Sequence, residues 1–488
     1  MKTVEDGRGA FMKESYQLAA EITPSERQLK WQELEFYAFC HFGMNTFMEK
    51  EWGDGQTPPE VFNPTDFDAE QWAKAIKSAG MRGLILTCKH HDGFCLWPSA
   101  YTEYSVKNSP FREGKGDVVR EVADACKKYG LKFGVYLSPW DRHEQTYGQG
   151  EAYNTYYKNQ LRELLTNYGE LFCIWLDGAC GEGKNGKVQK YDWQGYYAVM
   201  RELQPNAVIS ISGPDVRWIG NEAGVCRKAE WSVVPSWLAI NEYVAEKSQK
   251  SDDRKFAKKH NSMTLDLGSR KAIKGETDLI WYPAEVDVSI RPGWFYHAKE
   301  DSKVKSLDKL FNIYLNSVGG NASLLLNIPP DKTGRLAQID ALTLDSFGRM
   351  LQREFPVDLL QGARASATSE VDNEHGAGNV LLDDDAFWQS AQDEENPELI
   401  LDFGTQTAFD SLILQENIRT GQQIEEFDVA VQKGNHWKKI GKYTIIGYKR
   451  ICRFKKTYKT RKIRIRIRSH RGKATLRRVC AYKRNELV

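Results

Sequence analysis

Carboxylates, histidines and tryptophans recur in this sequence at one kind of place, where a short apolar run gives out. FYAFCHFG (36–43) ends on His41, and GLILTCKH (83–90) ends on His90 and His91. KFGVYLSP (132–139) carries Tyr136 and Ser138 and leads into Trp140 and Asp141, and ELFCIWLDGA (170–179) ends on Trp175 and Asp177. After AVISISG (207–213) comes DVRWIGNEAG, with Arg217, Trp218 and Glu222. Further on, WYPAEVDVSIRPGWFYH offers Glu285, Asp287 and Trp294. A carboxylate such as Asp177 behind an apolar run is costly to bury unless paired or solvated in a cleft. Indole rings pack on the C–H faces of sugars while acids and imidazoles bind hydroxyls, so the set reads as a carbohydrate pocket. Plainer readings stand beside this one: Asp177 as a helix N-cap, Glu222 as a surface glutamate, either histidine as core packing, and about half of the tryptophans as core.

The positions follow from the elements around them. The apolar runs, with ASLLLNIPP (322–330), are nearly unbroken, as strands buried on both faces are. Between them lie amphipathic segments at 66–80, 117–130 and 154–169, each stopped by a glycine suited to a left-handed cap. Alternating strands and helices predict a parallel sheet, and their number favours a (β/α)8-like barrel over residues 1–355, N-terminal extension included, with its working residues at the strand ends. No GxGxxG follows the first strand, which weakens the dinucleotide-binding alternative.

Beyond about 355 short alternating runs appear at 398–404, 410–416, 426–434 and 462–469, and an antiparallel β-sandwich over 356–488 is expected. The last 49 residues hold about eighteen Lys and Arg against one Glu. The alternation in KIRIRIRS makes a solvated strand face the favoured reading over a nucleic-acid or anionic-glycan patch.

Composition excludes several classes. The chain has 488 residues and a formal net charge of +2, which argues against a protein that coats nucleic acid. No apolar run spans a bilayer, and the first residues lack a signal core, so the chain is cytosolic or has lost its signal. Nine cysteines without CxxC offer neither a zinc ribbon nor a redox pair. His90 and His91 point to opposite faces if the strand continues through them, and no HxH or HExxH occurs, so no metal or other cofactor is expected.

The segments HFGMNTF, EWGDG, TCKHHDGFCLWPS, GVYLSPWDR, WLDGA, RWIGNEAG and AEVDVSIRPGWFYH, in that order, resemble the glycoside hydrolase family 29 α-L-fucosidases. The resemblance implies a retaining exo-glycosidase on a (β/α)8-like barrel, with Asp177 as nucleophile. It implies sugar contacts from His41, Glu51, Trp52, His90, His91, Tyr136, Trp175 and Arg217. GNEAG resembles the branch preferring α-1,3/1,4-linked (Lewis-type) fucose, which makes Glu222 the acid/base and sets Glu285, its rival for that role, and Asp287 in the pocket. Trp294 joins Trp175 as a stacking surface. The sandwich resembles a discoidin-like (F5/8 type C) carbohydrate-binding module. The implied partner is a fucosylated oligosaccharide or glycoprotein glycan, the implied compartment periplasmic or extracellular. Broader α-1,2 or α-1,6 specificity and a non-catalytic fucose lectin are the alternatives. Retaining chemistry sets the two carboxyl groups about 5–5.5 Å apart.

Overall fold

The computed structural model describes residues 14–242 and 266–485. Eight parallel strands form the first sheet: β1 (Phe36–Cys40), β2 (Gly83–Lys89), β3 (Lys132–Leu137), β4 (Cys173–Leu176), β5 (Val208–Ile211), β6 (Arg217–Trp218), β9 (Ala284–Ser289) and β10 (Ala322–Asn327). An antiparallel pair, β7 (Val233–Pro235) and β8 (Leu279–Trp281), intervenes between β6 and β9. The order β5-β4-β3-β2-β1-β10-β9-β6 runs round a ring, and its two edges meet at a parallel bridge between Ser210 and Val216. The sheet is thus a nearly closed barrel. Period-2 alternation sends Tyr37, Phe39, Ile85, Tyr136, Cys173, Trp175 and Leu325 into its interior, while the alternate residues Phe36, Ala38, Leu84, Leu86, Ile174 and Leu324 pack under the surrounding helices.

The helices start and stop where the sequence marks them. Asp68 caps Ala69–Ser78 through a bond from Gln71 N, and Asp117 caps Val118–Tyr129 through one from Arg120 N. Gly80, Gly130 and Gly169 close three of them at positive φ. Two strands escape the apolar-run criterion. β6 is only two residues long, and β9 reads AEVDVS, its apolar run broken by Glu285 and Asp287. No helix separates β5 from β6; the chain turns directly through Ile211 at φ 70, an uncommon conformation for a β-branched residue.

The second body is antiparallel. β11 (Arg364–Ala367), β13 (Glu398–Gln415), β16 (Arg450–His470), β14 (Ile424–Lys433) and β15 (His436–Tyr443) form its main sheet, with β18 (Arg478–Tyr482) on β13; β12 (Trp388–Gln389) and β17 (Thr475–Leu476) form a small second sheet. The runs at 398–404 and 410–416 are one long strand. Ile463, Ile465 and Ile467 enter the core, while Arg464 and Arg466 pair with Glu398 and Arg468 with Asp428, the solvated face expected. Asn321, just ahead of β10, ties the two bodies: its amide donates to Glu230 O and accepts from Tyr448 N.

Candidate active site

The C-terminal ends of the barrel strands converge on one cup. His41 follows β1, with its ring 5.1 Å from Trp294 and 5.7 Å from His90. β2 stops at Lys89, so His90 and His91 lie beyond the pleat, ring centroids 4.1 Å apart, and both face the cup. Strand alternation, which would have separated them, no longer applies there. Burial, the leading cause, lowers His41 to about 3 and His91 to about 4, and drives His90 well below the ordinary imidazole value.

Neutral imidazoles have one donor and one acceptor, and their partners fix which is which. His41 Nδ1–H donates to Asn327 Oδ1 at 2.9 Å, leaving Nε2 as an acceptor. Ser138 gives its proton to Trp140 O, so His91 Nδ1–H donates to Ser138 Oγ at 2.7 Å and its Nε2 is also an acceptor. Asn45 Nδ2 donates to His90 Nδ1, leaving His90 Nε2–H as a donor. Two acceptors and one donor side by side match a row of sugar hydroxyls.

Asp177, one residue past β4, keeps 25% of its side chain exposed. Ala179 N donates to its Oδ1 at 2.7 Å and Tyr136 OH to its Oδ2 at 3.3 Å, with His91 Nε2 at 3.7 Å from Oδ2. Glu222 sits on a loop between Gly220 (φ 101) and Gly224 (φ 73). Its Oε2 accepts from Trp294 Nε1 at 3.1 Å. Burial raises its carboxyl to about 7, the charges of Asp177 and Glu51 add to the rise, and the indole bond opposes them. The two carboxyl groups are therefore near enough to sense each other's charge.

A clamp holds Trp294. Glu51 Oε2 accepts from Trp294 N at 2.8 Å, and its Oε1 accepts from His297 Nε2 at 2.7 Å. Gly293 makes room, since a Cβ there would lie 2.5 Å from Glu51 Oε1. Asn327 Nδ2 donates to Trp294 O, so one amide orients both His41 and Trp294. Trp52 packs edge-on against His91 and Trp140 and completes the wall.

Three expected pocket residues lie elsewhere. Arg217 alternates with the inward Trp218 on β6 and so points outward, where its guanidinium binds Glu230 and the carbonyls of Tyr282 and Trp231. Glu285 is fully buried under Trp175, whose Nε1 donates to it at 2.7 Å, and Tyr37 OH bonds its other oxygen; burial lifts it to about 7. With both oxygens engaged below the cup, it forms the floor. Asp287 is buried too, accepting from Trp218 Nε1 at 2.7 Å, and is raised well above the ordinary value by burial and by Glu222 and Glu285. Asp141 lies below the wall, paired at 2.9 Å with the buried Lys89. Sequence reasoning missed Asn327, although it ends an apolar run as His41 does, and His297, hidden in the aromatic run GWFYH.

Sugars bind against walls of this kind, and carboxylate pairs across such a cup cleave glycosidic bonds. Fold and site together define a glycoside hydrolase. The alpha-L-fucosidase family model matches residues 8–354, and the F5/8 type C domain model matches residues 364–479. Alpha-L-fucosidase 1 of Arabidopsis thaliana is 41% identical over 450 residues, 91% of this chain and 84% of that protein. A Ruminococcus gnavus GH29 fucosidase solved in complex with fucose superposes with a TM-score of 0.81 at 31% identity, covering 96% of each chain. A glycoside hydrolase 29 family member from an unknown rumen bacterium gives 0.77 at 39% identity, covering 96% of this chain and 78% of that one. The chain belongs to the alpha-L-fucosidases of glycoside hydrolase family 29.

Proposed function

We propose that this α-L-fucosidase is a retaining exo-enzyme that removes terminal α-1,3/1,4-linked L-fucose from branched, Lewis-type glycans outside the cytoplasm, with Asp177 as nucleophile and Glu222 as acid/base. The observation that carries the reading is the pairing of an accessible Asp177 with a glycine-flanked Glu222 held by Trp294 across one aromatic cup. The GNEAG segment supports the linkage, and the fucose bound to the Ruminococcus gnavus relative supports the glycon.

Asp177 attacks the anomeric carbon as the glycosidic bond breaks, and Glu222 gives its proton to the departing oxygen. The product is a fucosyl ester of inverted configuration. Glu222, now a carboxylate, takes a proton from water as the water displaces Asp177, and fucose leaves with its original configuration. An acid with a pKa of about 7 is protonated for the first step near neutral pH and still basic enough for the second. His41, His90 and His91 bind hydroxyls, and Trp175 and Trp294 line the apolar side of the sugar. Glu285 and Asp287 support this wall from beneath. The sandwich serves as a glycan-binding module.

Proton NMR of first-formed fucose tests the stereochemistry: the α anomer is expected, and initial β-fucose contradicts it. Glu222→Ala is expected to lose most turnover of natural glycans while keeping the first step on aryl fucosides, whose leaving groups need little protonation. Wild-type turnover of natural glycans by that variant rejects the acid/base assignment. Faster cleavage of a Lewis-type trisaccharide than of 2′-fucosyllactose is expected, and the reverse order rejects the linkage.

A further inference from the structure

Glu222 stands between two glycines at positive φ, Gly220 at 101° and Gly224 at 73°. Glycine on both sides permits more backbone conformations than other residues do, so the shape of this loop has to be imposed from elsewhere. Two ties impose it. At the tip, Asn221 spans the turn: its Oδ1 accepts from Ala223 N at 3.0 Å and its Nδ2 donates to Val225 O at 3.0 Å. At the base, the two ends of the loop meet on one carboxylate. Glu230 is fully buried and pairs with Arg217, which stands on β6 where the loop begins, and with Arg227, 3.2 Å away on the returning limb. Arg227 also reaches back to Ile219 O at 3.4 Å. The loop from 217 to 230 is thus closed in the manner of an Ω, with Glu222 near its tip.

The returning limb lies against the sandwich. Lys228 O accepts from Thr444 Oγ1 at 2.8 Å and from the Arg450 guanidinium at 3.2 Å. Ser232 N donates to Gln422 Oε1 at 2.8 Å. The Arg471 guanidinium sits 4.0 Å from the centre of the Trp231 ring, and Trp231 shares an apolar cluster with Ile445. Glu230 O accepts from Asn321, the residue that ties the two bodies. The sandwich therefore grips the loop along residues 228–232, directly behind the carboxylate that closes it.

We propose that Glu230 is a positioning residue for the acid/base and that the sandwich holds it in register: the stem clamped between β6 and the second body fixes where Glu222 stands over the cup. Trp294 Nε1 orients the Glu222 carboxyl at 3.1 Å, and the stem fixes the backbone behind it. Proton transfer is sensitive to such placement, since a shift of about 1 Å in a catalytic group can cost about a hundredfold in rate. Without the Glu230 charge, Arg217 and Arg227 lose the carboxylate they share, and the base of the loop opens. The second body thereby takes part in the hydrolysis itself. This role presupposes that Glu222 is the acid/base.

The test compares kcat/KM on a natural-linkage fucoside, whose leaving group needs a proton, with kcat/KM on an aryl fucoside, whose leaving group needs little. A purely structural loss lowers both alike. Glu230→Gln in the full-length enzyme is expected to lose at least about tenfold on the natural linkage and less than about threefold on the aryl fucoside. The double variant Thr444→Val, Arg450→Met withdraws both donors from Lys228 O and leaves Glu230 and the barrel unaltered. Its natural-to-aryl ratio is expected to fall at least about threefold with aryl kcat/KM within about twofold of wild type, and it decides the matter should Glu230→Gln fail to fold. Equal losses on both substrates in Glu230→Gln, or an unchanged ratio in the double variant, would each overturn the proposal. Glu222→Ala assayed alongside separates the two layers. An unchanged ratio there rejects the acid/base role and the positioning with it, whereas a collapsed ratio there with wild-type ratios in the other variants rejects the positioning alone.

Discussion

Replacing Trp294 with phenylalanine removes one N–H and leaves most of the ring against His41. That N–H donates to Glu222 Oε2 at 3.1 Å. A donor favours the charged carboxylate, so it holds the Glu222 pKa down against burial and the charges of Asp177 and Glu51. A hydrogen bond to a charged group contributes about 1.5–3 kcal/mol. At this length and with Glu222 partly exposed, the lower end applies, about 1.4 kcal/mol or one pKa unit. The Glu222 acid therefore rises from about 7 to about 8. As the proposed acid, Glu222 acts in its protonated form in the first step, so the alkaline limb of kcat/KM is expected to move to higher pH. The ratio of kcat/KM at pH 8 to that at pH 6 grows from about 0.1 to about 0.5 for a natural-linkage fucoside. An aryl fucoside assayed in parallel shows a weaker alkaline limb. An alkaline limb that stays put, or moves down, refutes the role of the indole and with it the environment ascribed to Glu222.

Three further outcomes are expected. His297→Ala removes the donor to Glu51 Oε1 and loosens the clamp on Trp294, so kcat on natural glycans falls more than tenfold with a smaller loss on aryl fucosides; His297→Gln, which can still donate to Glu51, restores most of it. Equal losses on both substrates, without rescue by glutamine, reduce His297 to general packing. Asp141→Ala leaves the fully buried Lys89 ammonium without its carboxylate and is expected to cost about 3–5 kcal/mol in denaturant unfolding. Arg217→Ala, which leaves the buried Glu230 with Arg227 as its remaining cation, is expected to lower stability while leaving the KM for an aryl fucoside within about threefold; a large KM rise with stability intact would return Arg217 to the pocket.

The barrel was legible because its apolar runs and glycine-stopped helices obey local rules. β6 and β9 were not, for a reason tied to function: β9 sets Glu285 and Asp287 into the barrel interior, and buried acids with indole donors break the apolar pattern by which strands are recognised. His41, His90, Asp177 and Glu222 could be read because strand ends and glycine-flanked loops expose their polar residues. Arg217 shows the limit of that rule. It stands one residue from Trp218, and only alternation on a strand too short to recognise decides which of the two enters the barrel. The Glu51–His297–Trp294 clamp joins residues 246 positions apart, a contact that no local pattern encodes.

The most direct test is to locate the covalent intermediate. Glu222→Ala mixed with an aryl α-L-fucoside, quenched with acid during turnover and analysed by peptide mass spectrometry, is expected to carry one fucosyl group esterified to Asp177. A fucosyl group on any other residue, or steady turnover of the aryl fucoside by Asp177→Ala, would contradict the account.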